Sequence, residues 1–81
     1  MLSKVYYYEE LLNLYLLSKN NEQKLSVLIA MRNIIEHEEY MQKNKLKHRI
    51  LEDVRSFDIE KDEEFPYIEY TIQSILEHSN N

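Results

Sequence analysis

A chain of 81 residues with no glycine and a single proline has few ways to turn. Tight hairpins, phosphate-cradling loops and dinucleotide-binding fingerprints all need a residue without a Cβ, because only glycine enters positive φ freely. Their exclusion leaves elements joined by ordinary polar loops, and the apolar residues recur at helical spacing along most of the chain. The expected fold class is therefore all-α: about four helices joined by short loops, as an antiparallel bundle or a small orthogonal domain. "KVYYY", residues 4 to 8, has strand-like residues, but the "EELLNLYLL" that follows returns to helical periodicity.

The first helix is expected from about Ser3, as N-cap, to Ser18. Val5, Tyr8, Leu12, Tyr15 and Leu16 form one stripe, and Tyr7, Leu11 and Leu14 widen it to about half the circumference. A surface helix has a narrower apolar face, so this one is either central or carries a second face for something else. In the break "SKNN", Asn20 suits the helix end, Asn21 suits the next cap, and Glu22 complements its positive end.

The second helix is expected from Glu22 to about Lys43. Leu25, Leu28, Ile29 and Ile35 form one stripe; Val27, Ile34 and Met41 form another on nearly the opposite side. An uninterrupted helix over residues 22–55 would be roughly 50 Å long, more than so short a chain can cover, so a break is placed near Asn44. The alternative is three helices, with the long one covered in an elongated dimer. A third helix follows from Leu46 to Ser56, with Leu46, Ile50, Leu51 and Val54 inward. The acidic connection "SFDIEKDEEFP" then leads to a fourth helix with Pro66 in its first turn. Phe65, Ile68, Ile72, Ile75 and Leu76 face inward there, Tyr67 and Tyr70 lie on another face, and "HSNN" reads as a frayed tail of a single domain spanning residues 1–81.

Net charge of −5 disfavours general nucleic-acid binding. "KNKLKHR", residues 43 to 49, is the one basic cluster, and acids flank it on both sides. "MLSKVYYYEE" places acids where a leader peptide needs an apolar core. The longest apolar stretch, "LLNLYLL", is far short of the roughly 20 residues that cross a bilayer. A cytoplasmic protein with no membrane partner is the expectation. Richness in Asn, Lys, Ile and Tyr suggests AT-rich coding, as in a low-GC bacterium, its phage or a plasmid.

The absence of cysteine excludes disulfides and thiolate metal sites. His37 and His48 would lie roughly 16 Å apart on a continuous helix, too far to share an ion, so neither metal nor cofactor is expected. No glycine is available for a strained nucleophile elbow around any serine.

Arg32-Asn33-Ile34-Ile35-Glu36-His37 is the most suggestive string. It resembles the short motif of the HEPN ribonucleases, an all-helical family with an arginine, a polar residue and, after a gap, a histidine. In that family the two side chains from two copies meet in a dimer cleft and cleave RNA. The resemblance covers six residues and implies that Arg32 holds phosphate while His37 transfers a proton. The competing reading of the same residues is an i,i+4 ion pair between Arg32 and Glu36, worth about 0.3 kcal/mol, with His37 facing water.

The other oddity is aromatic: seven tyrosines are more than one small core holds. A tyrosine body packs while its hydroxyl stays wet, which suits interfaces. Once each helix has one core stripe, Tyr7, Leu14, Val27, Ile34, Met41, Tyr67 and Tyr70 are left over. The leading expectation is thus a non-enzymatic protein-binding module: a small regulator, inhibitor, or immunity- or antitoxin-like protein. Its partner is a larger protein or a second copy, a homodimer being the simplest case. The HEPN-like ribonuclease using Arg32 and His37 is the alternative.

Overall fold

The structure is a computed structural model and describes residues 4–40 and 45–80. Among them are four α-helices and no strand: α1 (Lys4–Leu17), α2 (Asn21–Tyr40), α3 (Lys45–Ser56) and α4 (Phe65–Leu76), with a short 3-10 turn over Glu77–Asn80. The expected Ser3 cap and the break near Asn44 lie outside the described residues, as does Met41. The single-helix alternative over residues 22–55 is nonetheless excluded. Its length of roughly 50 Å exceeds the longest dimension of the fold, 35 × 29 × 17 Å, and α3 packs back against α2.

At about 30 Å, α2 is the axis of the molecule; α1, α3, α4 and the 3-10 turn all pack on it. That explains its two apolar stripes. Val27 and Ile34, expected as a free face, join Leu28, Met31 and Ile35 in the core, because α2 has neighbours on both sides within one chain. Ile29, assigned inward, is instead exposed. The inward positions of α3 are those expected: Leu46, Ile50, Leu51 and Val54 are buried. In α4, Ile68 and Ile75 are fully buried, Thr71 joins them, and Tyr67 and Tyr70 stand outward.

The inner face of α1 is Tyr8, Leu11 and Tyr15; Val5 and Leu16, expected inward, are exposed. Two long-range contacts set this choice. The Tyr8 hydroxyl donates to Asp53 Oδ2 on α3 at 2.8 Å, and the Tyr15 ring stacks on Phe57 just beyond α3, with centroids 3.9 Å apart. Burying two tyrosines with their polar and aromatic partners rotates Leu16 and Val5 outward on the wheel.

Without glycine, serine hydroxyls close the C-terminal ends of α1, α3 and α4. The last carbonyls of a helix have no intrahelical donor; Ser18 Oγ donates to Leu14 O at 2.8 Å, Ser56 Oγ to Asp53 O at 2.7 Å and Ser79 Oγ to Leu76 O at 2.7 Å. At the start of α2 the cap is Asn20, one residue earlier than expected: its Oδ1 accepts from Gln23 N at 2.9 Å, and Gln23 Oε1 accepts in return from Lys19 N at 2.8 Å. Asn21 is thereby released for a tertiary role. It is buried, and its Nδ2 donates to Glu60 O at 2.7 Å and Asp62 Oδ1 at 2.9 Å, tying α2 to the acidic connection. Asp62 Oδ1 also accepts from Glu64 N at 2.9 Å, which shapes the entry to α4. Of the tail expected over residues 78–81, positions 78–80 belong to the 3-10 turn, which packs against α2 and α4, and Asn81 lies outside the described residues.

We expect Asn21→Ala to cost about 1–3 kcal/mol, because it removes the donor to a partly buried carbonyl and carboxylate. Thermal unfolding of the folded chain measures it, and a change within about 0.5 kcal/mol would show the clamp to be idle.

Candidate functional site

The surface of α1 is the first candidate. Nine large hydrophobic residues are exposed among the described residues, and six of them are on this one helix: Val5, Tyr6, Tyr7, Leu14, Leu16 and Leu17. Exposure rises from 44% at Val5 to 76% at Leu17. At 3.6 residues per turn they cover the outer half of α1, from Val5 and Leu16 on one flank, through Tyr6 and Leu17, to Leu14 and Tyr7 on the other. Glu9, Glu10 and Asn13 are exposed among them, so α1 is an edge helix whose uncovered face mixes apolar and polar residues.

Of the residues singled out for partner binding, Tyr7, Leu14, Tyr67 and Tyr70 are on the surface, while Val27 and Ile34 are core. Tyr7 and Leu14 share a flank of α1; Tyr67 and Tyr70 lie on another helix, α4. Leu16 and Leu17 belong to the outer face of α1 but were not singled out, Leu16 because it was assigned to the inner stripe and Leu17 because it lies outside both apolar sets.

Arg32 and His37 do not converge within one chain; the resemblance implies a meeting across two copies. Five residues apart on α2, they point about 140° from each other. Arg32 Nε lies 3.9 Å from Glu36 Oε1, the local pair expected of that spacing. His37 instead lines a groove of about 280 Å³ between α1 and α2, together with Lys4, Tyr7, Ala30, Asn33 and Ile34. The basic cluster is also divided. Lys47 is buried, Lys45 and His48 are exposed, and Arg49 turns toward α1, with its guanidinium 5.3 Å over the Tyr8 ring and Nε 3.8 Å from Asp53 Oδ2. No group of three or more His, Cys, Asp or Glu side chains with metal-binding geometry occurs among the described residues. No helix among them is long and apolar enough to cross a membrane.

The second candidate is a cleft of about 450 Å³ at the C-terminal end of α1, closed by Lys24 of α2 and by Ser56, Phe57 and Asp58. Tyr15 is its floor, 4% exposed, with the Lys24 ammonium 5.6 Å over the ring. The Tyr15 hydroxyl is buried and has no hydrogen-bond partner in the structure. Burial, and then the negative charge of Asp58, push its pKa up to about 12. Burial and the hydrogen bond to Asp53 push Tyr8 upward as well. Both hydroxyls are neutral donors at neutral pH. This cleft joins residues 42 positions apart and had no signature in the local sequence.

The raised pKa fixes the sign of an alkaline effect. Between pH 10 and about 12 the unfolded chain loses the Tyr15 proton while the folded chain keeps it. The stability present below pH 10 is therefore lost progressively as pH rises through that window. We expect Tyr15→Phe to flatten this loss in part, Tyr8 carrying the remainder. It should also stabilise the chain by about 1 kcal/mol at neutral pH, by removing a buried hydroxyl that lacks a partner. Urea midpoints across the pH range measure both; a destabilised Tyr15→Phe variant would show that the hydroxyl is satisfied.

No family model matches the chain, and neither the curated proteins nor the solved structures contain a match to it, so the functional reading stands on its own residues.

Proposed function

We propose that the chain is a non-enzymatic protein-binding module, a small regulator or inhibitor that presents the outer face of α1 to a protein partner. The observation that carries this reading is the concentration of exposed Tyr and Leu on one edge helix, six of nine such residues in a 14-residue element. Large apolar groups on a monomer's surface are ordinary when scattered; here they gather on one helix, Val5, Tyr6 and Tyr7 at one end and Leu14, Leu16 and Leu17 at the other, with Glu9, Glu10 and Asn13 between. Tyrosine and leucine anchors act by filling pockets on the other protein, and a few of them dominate the binding energy. Tyr67 and Tyr70 on α4 offer a second, smaller contact region.

Retention of proteins by the immobilised chain from native lysate, beside a Tyr7→Ala/Leu14→Ala variant, tests the reading. The wild type should retain a defined partner that the variant loses. Identical retention by both, with the free chain a single molecule at every concentration, would remove it.

A further inference from the structure

We propose that the groove between α3 and α4 seats the outer face of α1 from a second copy of this chain, with Glu9 and Glu10 of the arriving helix set against Arg55 and Lys61. This rests on the protein-binding reading and names the partner. The groove has a volume of about 370 Å³ and runs from the end of α3, past the acidic connection, to α4. Its apolar lining is Val54, Phe57, Ile59, Phe65, Ile72 and Leu76. Val54 is buried and the other five are only partly covered, so one chain leaves this surface unfinished.

The polar lining gives the groove a sign. Arg55, Lys61, Glu69 and Gln73 are exposed around it, two cations against one carboxylate. Neither cation is in an ion pair among the described residues; the Lys61 ammonium lies 5.7 Å over the Phe65 ring. Glu60, Asp62 and Glu63 adjoin Lys61 in sequence but are not among the described residues that line the groove, and Asp62 is turned to Asn21. A positively lined apolar groove in a chain of net charge −5 fits a guest that is apolar and acidic at once.

The chain carries that guest. The outer face of α1 sets Glu9 and Glu10 between two apolar clusters, with Tyr7 in one and Leu14 in the other. Neither carboxylate is in an ion pair among the described residues. Within its own chain α1 uses only the inner face of Tyr8, Leu11 and Tyr15, so its outer face can reach such a groove only on another copy. Tyr7 and Leu14 are two turns apart on one flank, the spacing by which a helix anchors itself in a groove. The charges at the rim then fix register and orientation more than affinity.

Charge reversal in the folded full chain tests the contact, with helical content checked for each variant. One variant carries Arg55→Glu and Lys61→Glu, the other Glu9→Lys and Glu10→Lys. The solution mass of the wild type should rise with concentration, and each variant alone should associate at least about tenfold more weakly. An equimolar mixture of the two variants should recover the association, because opposite charges again meet at every contact. A wild type that stays a single molecule at every concentration, unchanged association in either variant, or a mixture that does not recover would overturn the assignment. So would a single-molecule wild type that retains a foreign protein lost by the Arg55→Glu/Lys61→Glu variant, by placing another protein in the groove. The two readings fail separately. If the wild type stays single while the Tyr7→Ala/Leu14→Ala variant loses a lysate partner, the second-copy assignment falls and the module stands. If the charge-reversal pattern holds and the lysate yields only the chain itself, the contact stands and the regulator of another protein falls.

Discussion

Truncating Ile35 to alanine is expected to remove about 2–5 kcal/mol of stability. Ile35 is fully buried on α2, the helix against which the other elements pack, so the cavity has neighbours on more than one side that cannot all move in. A domain of this size has about 4–12 kcal/mol to lose. The variant therefore keeps a reduced margin or unfolds. With a slope of roughly 1 kcal/mol per molar urea, the midpoint of the helical signal should fall by about 2 M or more. Tyr70→Ala is the control: Tyr70 is 70% exposed, and its truncation should change stability by no more than about 0.5 kcal/mol. Equal midpoints for the two variants would mean that α2 is not the centre of the core.

The second large effect concerns binding. Tyr7→Ala with Leu14→Ala removes two exposed anchors from one flank of α1 and should lower partner affinity by about a thousandfold, taking each at the roughly 2 kcal/mol of an interface hot spot. Folding stability should hardly move, because both side chains are about half exposed. Val27→Ala with Ile34→Ala makes the opposite expectation. Those residues are 9% and 7% exposed, so that pair should destabilise the chain and leave the affinity of the folded fraction intact. The crossed outcome separates surface anchors from core, which the wheel of α2 alone does not.

How legible the fold was depended on how uneven each helix is. The charged residues of α3 leave one narrow apolar stripe, and every position assigned inward there is buried. Pro66 and the acids before it marked the start of α4 for the same local reason. The wheels of α1 and α2 are apolar on several sides, and their direction is set by partners distant in sequence: Asp53 for Tyr8 and Phe57 for Tyr15. Two stripes on α2 meant burial on two sides, and that holds; the second side, assigned to a partner, is covered within the chain. The excess of exposed apolar surface expected from composition is present, but it lies on α1, with Leu16 and Leu17 in place of Val27 and Ile34. The cap fell to Asn20 and not Asn21 because either side chain can cap a helix, and only the tertiary bonds of Asn21 to Glu60 and Asp62 decide which one does.

Photo-crosslinking in native cells asks most directly whether the outer face of α1 is built for contact. A photoreactive residue at position 14 should yield a discrete adduct of defined mass, and the same residue at position 52, exposed on α3, should not. No adduct from position 14, or the same adducts from both positions, would contradict the claim that the uncovered side of α1 is a binding surface.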